Sequence, residues 1–217
     1  MSEFLYPFLE RDAAVAATLL GDLAASARSK AADSDMLRSN TLDRQRTQLE
    51  AVAAAMADRF GRGGRLFTFG NGGSSTDAAS IAALFSSPPW GNPCPARTLA
   101  GDSAVLTALG NDVGFELVFS RQLIACAKAG DIAIGISTSG NSRNLLAAFR
   151  EATSRDVLTI GLAGYDGGHM GHSDEVEHCF VVSSESVHRI QEAQGALAFA
   201  LWSAVQDCLA GVGGQRG

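Results

Sequence analysis

Residues 131–144 read DIAIGISTSGNSRN. The run from Ile132 to Ile136 is apolar without alternation, the pattern of a parallel strand buried on both faces. Ser137, Thr138, Ser139, Gly140, Asn141 and Ser142 follow at once, and then Leu145, Leu146 and Phe149 begin an apolar helical face ending near Ser154. A strand that passes through such a turn into a helix aims free backbone N–H groups and the positive helix end at one point, which suits a phosphate. The hydroxyls can donate to the same oxygens. No P-loop lysine is present, which excludes a nucleotide P-loop. A plain strand-to-helix turn capped by Ser or Asn is the competing reading.

The same pattern occurs earlier. RLFTF at Arg65–Phe69 reads as the first strand, GNGGSSTDA follows at Gly70–Ala78, and a helix runs from Ser75 to Phe85. Further strands are expected at Arg97–Ala100, Leu158–Ala163 and Cys179–Val182, with helices at Asp102–Leu109, Phe115–Lys128 and Val187–Ala210. Residues 86–95 hold four of the five prolines and form a loop. Strands alternating with helices predict an α/β fold with a doubly wound parallel sheet of five strands. Ligands of such sheets sit beyond the carboxyl ends of the strands, and both polar turns fall on that edge.

Ahead of the first strand, Glu3 to Lys30 reads as a helix with Phe4, Phe8, Val15, Leu19 and Leu23 on one face. The polar patch 31–40 reads as a loop, and Thr41–Phe60 as a second helix stopped by GRGG. The expected organisation is one structural unit: a helical pair over 1–62 that contacts another subunit, a ligand-binding core over 63–210, and a frayed tail over 211–217.

Hydrophobic residues make up 46% and charged residues 18% of the 217, which is a globular and not a disordered composition. A net charge of −6 argues against nucleic acid as a partner, because backbone binding needs a basic face. Glu3, Glu10, Arg11 and Asp12 do not suit a signal peptide, and no apolar run is long enough for a bilayer, so no membrane partner is expected. Cys94, Cys126, Cys179 and Cys208 are widely spread, which predicts reduced, mostly buried thiols in a cytoplasmic protein and no zinc site.

Four motifs come in order: GNGGSSTDA (Gly70–Ala78), LTALGND (Leu106–Asp112), GISTSGNS (Gly135–Ser142) and RIQE (Arg189–Glu192). Together they resemble the sugar isomerase (SIS) domain, specifically the phosphoheptose isomerase group, over about Thr41 to Leu209. The resemblance implies a flavodoxin-like sheet, a homotetramer and a sugar phosphate bound between subunits. It also implies substrate-binding roles for Asn71, Gly72, Gly73 and Ser74, for Asn111 and Asp112, for Ser137, Thr138, Ser139 and Ser142, and for Gln191.

The resemblance breaks at the chemistry. Moving a proton between adjacent carbons of an open-chain sugar calls for a base near carbon and an acid or metal near oxygen. The group supplies a histidine and a glutamate one turn apart after Asn-Gly-Gly, and a histidine two turns beyond the RIQE glutamine; these bind zinc in some members. The corresponding positions here are Ser80, Leu84 and Phe199. No cofactor and no metal are therefore expected, with standard isomerase catalysis lost and a sensor or adaptor role gated by a phosphosugar. One alternative is an active sedoheptulose 7-phosphate isomerase with non-standard acid–base residues. His188 is its candidate proton carrier, and His169 and His172 are within reach in a loop. Asp77 and Glu116 read as cap or first-turn helix charges. The other alternative is a protein-binding regulator of replication or transcription.

Overall fold

A computed structural model describes residues 13–213, with side chains described for 19–211. The order is α1 (Ala13–Arg44), α2 (Arg46–Gly61), β1 (Leu66–Gly70), α3 (Gly73–Ser86), β2 (Ala96–Thr98), α4 (Ser103–Asp112), α5 (Val118–Cys126), β3 (Ile132–Ser137), α6 (Arg143–Thr153), β4 (Leu158–Gly164), β5 (His178–Val182) and α7 (Val187–Gly213). Phe115–Leu117 is a 3₁₀ turn leading into α5. The strands form one parallel sheet in the order β2-β1-β3-β4-β5.

Every residue of β1, β3 and β4 is buried. Side chains alternate across a strand, so the sheet has two distinct faces. Leu66, Ile132, Ile134, Ile136, Leu158, Ile160, Leu162, Phe180 and Val182 pack with α2, α3 and α7. Phe67, Phe69, Ala133 and Ala163 pack with Phe119 and Leu123 of α5 and with Leu145, Ala148 and Phe149 of α6. Helices on both faces explain why these strands carry no polar alternation.

The buried carboxylate of Asp131 pins the amino edge of the sheet. It accepts from Arg65 N–H at 2.8 Å, Arg65 Nη2 at 2.8 Å and Lys128 N–H at 2.9 Å. Its hydrogen bond to the Arg65 guanidinium raises the pKa of Arg65.

The amino-terminal helices differ from expectation. Residues 31–40 are helical, not a loop, and α1 runs on to Arg44. The stretch from Asp22 to Phe60 contains neither Gly nor Pro, so nothing in it breaks a helix. Arg189 Nη2 donates to Asp33 at 3.0 Å, which ties this part of α1 to α7. The break falls at Gln45 instead. The Gln45 side chain donates to Val181 O at 3.0 Å and accepts from Val181 N–H at 2.9 Å. An amide thus pairs with the outer edge of β5 as a neighbouring strand would, and covers it. Leu19 and Leu23 stand exposed on α1, and the expectations for Phe4, Phe8 and the first twelve residues lie outside the described ones. At the other end, residues 211–213 still belong to α7 rather than to a frayed tail, and the rest of that tail lies outside the described residues.

No disulfide joins the four cysteines; Cys94 is buried and the other three are half-buried. Burial pushes the Cys179 thiol up to about 11. No helix among the described residues is long and apolar enough to cross a membrane.

Candidate functional site

The turn after β3 folds onto itself through its hydroxyls. Ser137 Oγ lies 3.0 Å from Ser142 Oγ and 3.4 Å from Ser139 Oγ, and it accepts from Gly140 N–H at 3.2 Å. Ser139 Oγ accepts from Asn141 N–H at 3.2 Å. Ser142 stands at the N-cap of α6, yet its side chain makes no capping bond. The expected alternative, a plain capped turn, is therefore not what this side chain does: the hydroxyl faces Ser137, while the helix amides point to the carboxyl edge of the sheet.

The loop after β4 props this turn. Gly140 has a φ of +65°, and a Cβ there would lie 2.0 Å from Gly167 O. Asn141 Oδ1 accepts from His169 N–H at 2.9 Å and from His169 Nδ1–H at 2.6 Å. His169 thus supports the turn, whereas His172 bonds back to Gly168 O within its own loop.

The turn after β1 meets the turn after β3 through two amides. Asn71 Nδ2 donates to Asn144 Oδ1 at 2.9 Å, and Asn144 Nδ2 donates to Asn71 Oδ1 at 2.9 Å. Gly72, with a φ of +55°, opens α3, and Ser74 is buried in its first turn. A Cβ on Gly73 would lie 2.5 Å from Gln191 Nε2, so α7 comes down directly over this turn. A Cβ on Gly164 would likewise meet Thr138 O at 2.5 Å and Ile190 Cγ2 at 2.6 Å. Asn71, Gly72, Gly73, Ser74, Ser137, Thr138, Ser139, Ser142 and Gln191 are therefore gathered at one edge, from three segments of the chain.

Asn111 and Asp112 are different. They end α4, both exposed, and Asn111 Nδ2 donates to Asp112 Oδ1 at 2.8 Å. Among the described residues no hydrogen bond links them to the turns. His188 is exposed at the second residue of α7 and does not line the pocket described next.

Beside the turns lies a pocket of about 290 Å³ between α3 and α7. Ser80, Leu84 and Phe199 all line it, together with Asp77, Gln194 and Ile136. Ile136 precedes Ser137, so pocket and turn adjoin. Ser80 Oγ donates back to Thr76 O at 2.9 Å, and Phe199 packs against Trp202 with ring centroids 5.2 Å apart and planes tilted by 48°. Asp77 is the fifth residue of α3, not a cap or first-turn charge as expected, and Gln191 Nε2 donates to it at 3.3 Å. Burial raises the Asp77 pKa above its ordinary value, and the Gln191 bond lowers it in part. Glu116 lies in the 3₁₀ turn before α5, exposed and outside this pocket.

Zinc does not fit this donor set. Leu84 and Phe199 carry no lone pair, and a serine hydroxyl is a poor ligand beside the nitrogen, sulfur and carboxylate donors zinc takes. Among the described residues no group of three His, Cys, Asp or Glu side chains could hold a metal. The Asp77–Gln191 bond, Gln194 and the Asn71–Asn144 pair escaped the sequence, because their partners lie far apart in the chain and no motif spacing links them.

The comparisons agree with this geometry. Residues 31–164 match the SIS domain family. A phosphoheptose isomerase of Roseiflexus sp. (strain RS-1) is 39% identical over 175 residues, covering 80% of this chain and 88% of that protein. A phosphoheptose isomerase of Solidesulfovibrio magneticus is 40% identical over 167 residues, covering 74% and 78%. The solved structure of the phosphoheptose isomerase from Neisseria gonorrhoeae superposes with a TM-score of 0.78 at 33% identity, covering 85% of this chain and 99% of that one. Sheet order, edge geometry and these likenesses together make this chain a member of the SIS domain family, related to phosphoheptose isomerase.

Proposed function

We propose that the carboxyl edge of β1 and β3 binds a sugar phosphate, and that the chain is a ketose–aldose isomerase of the phosphoheptose isomerase type whose acid–base group is Asp77. The observation that supports it best is the position of Asp77. It is the titratable side chain lining a pocket that adjoins the Ser137–Ser142 turn, and burial disfavours its charged form. The turn would take the phosphate on helix amides and hydroxyls. The carboxylate form of a carboxyl with a raised pKa can take a proton from the hydroxyl-bearing carbon beside a carbonyl and return it to the former carbonyl carbon, while the hydroxyl proton passes to the former carbonyl oxygen of the enediol. The likeness to phosphoheptose isomerases at about 40% identity favours turnover.

A second reading is a phosphosugar-gated sensor or adaptor without turnover, which Leu84 and Phe199 favour because neither can move a proton. A steady-state assay with sedoheptulose 7-phosphate separates the two. Turnover lost in Asp77→Asn but kept in His188→Ala supports the isomerase. Thermal stabilisation by the sugar phosphate without turnover supports the sensor. No stabilisation and no turnover with C4 to C7 monophosphates would remove both readings. A homotetramer with the sugar phosphate bound between subunits, as the family resemblance implies, is tested by light scattering.

A further inference from the structure

The described residues include three amide side chains that are almost wholly buried: Asn144, Gln194 and Gln206. Two of them are fully paired. Asn144 exchanges two hydrogen bonds with Asn71. Gln206 accepts from Asn92 N–H at 2.8 Å and donates to Asn92 O at 3.0 Å. Gln194, at 1% exposure, pairs with nothing among the described residues at either Oε1 or Nε2. Buried polar groups are nearly always partnered, and an orphaned one calls for a partner beyond the side chains around it. The indole N–H of Trp202 is also unpartnered, but Trp202 does not line the pocket; Gln194 does.

The surroundings of Gln194 restrict what it can meet. It lies one helical turn beyond Gln191, on the same face of α7 and roughly 4.5 Å further along the axis. Gln191 is held by Asp77, which lines the pocket. The pocket wall around Gln194 is apolar, formed by Ile81, Leu84, Ile136 and Ala198. Both polar atoms lie in this wall and are closed to solvent; once a shift of the side chain bares them, an amide that both donates and accepts matches a hydroxyl next to a carbonyl or a second hydroxyl. A methyl group or a bare anion would leave one or both of its atoms unpaired.

We propose that Gln194 is the specificity residue of this site, reading the oxygen pattern of the sugar carbon chain while the Ser137–Ser142 turn holds the phosphate. This rests on the sugar-phosphate reading above and adds to it the group that tells a sugar phosphate from phosphate alone. It concerns recognition, so it holds with or without turnover.

The test compares the full-length protein with Gln194→Met, which keeps the side-chain length and removes both polar atoms, and with Gln194→Leu as a second variant. Calorimetric titration with sedoheptulose 7-phosphate and with inorganic phosphate is read beside the melting temperature of each unliganded protein. The expected result is a dissociation constant for the sugar phosphate raised roughly 10- to 100-fold, an unchanged one for phosphate, and a melting temperature equal or higher because a buried unpaired amide is gone. Sugar-phosphate affinity within twofold of the parent in either folded variant overturns the proposal. A lower melting temperature with an altered oligomeric state also overturns it, by showing that Gln194 serves packing between copies. If the parent binds phosphate but gains nothing from the sugar, the inference fails while the anion site stands. If the parent binds neither, the sugar-phosphate reading itself fails.

Discussion

Gln191 Nε2 donates to Asp77 Oδ2 at 3.3 Å, bridging α7 and α3 across 114 residues of sequence. Gln191 belongs to a motif, RIQE, and Asp77 to another, GNGGSSTDA, yet neither motif by itself says that the two touch. Their contact puts a half-buried carboxyl at the boundary between the turn after β3 and an apolar pocket, and two opposing effects then set its proton affinity. Burial raises the pKa, and the amide donor lowers it by less.

The sign of that balance gives a pH prediction. A carboxyl whose folded pKa exceeds its unfolded value favours the folded state when protonated, and that contribution is lost as pH rises through the folded pKa. Asp77→Asn keeps an acceptor for Gln191 and removes the charge. Its melting temperature should exceed the parent's at pH 7, with the difference shrinking as the pH is lowered towards the ordinary carboxylate range. Equal pH profiles for parent and variant would contradict this.

Asn71 and Asn144 form a closed amide pair, and Asn144 is buried. Asn71→Ala strands both polar ends of Asn144, at a cost of about 1–3 kcal/mol. Urea denaturation should show this loss. Affinity for phosphate should fall as well, because α6, which carries the turn's amides, loses its tie to the first turn.

Gly140 combines a left-handed φ with contact to Gly167 O. Gly140→Ala must move either the turn after β3 or the loop after β4. The expected loss is roughly 1–3 kcal/mol from the backbone alone, with phosphate binding reduced more than stability. Unchanged titration curves for inorganic phosphate would show that this turn is not the anion site.

Asp131 tests the fold apart from the site. It is wholly buried, pairs with Arg65 and accepts two backbone N–H groups. Asp131→Ala leaves the Arg65 and Lys128 N–H groups without their acceptor and takes the partner from a part-exposed guanidinium, and should cost at least about 1–3 kcal/mol in equilibrium unfolding. Ligand affinity of the protein that remains folded should be unaltered, since these bonds lie at the opposite edge of the sheet.

The polar run 31–40 shows how local reading goes astray. Asp33, Asp35, Arg38 and Asn40 resemble a loop in composition, yet the stretch lacks a helix breaker, and its helix is held from outside by the Asp33–Arg189 pair. The exposed Leu19 and Leu23 followed helical spacing in the sequence, but spacing does not say what, if anything, covers a face. His188 drew attention because a histidine near a motif is visible in a string of letters. Gln194 did not, because an orphaned amide is recognised only when its whole surroundings are known.

The sequence by itself determined the succession of strands and helices, the parallel sheet and the edge where the two polar turns emerge. These depend on hydrophobic periodicity and on turn residues, which act over a few neighbours along the chain. The tertiary structure alone decided that Asn71 meets Asn144, that Gln191 holds Asp77, that His169 props the turn after β3 and that Gln194 is buried without a partner among the described residues. Each of those pairings or vacancies joins residues brought together by crossover connections and helix packing, and such distances are set by the whole fold rather than by any segment of it.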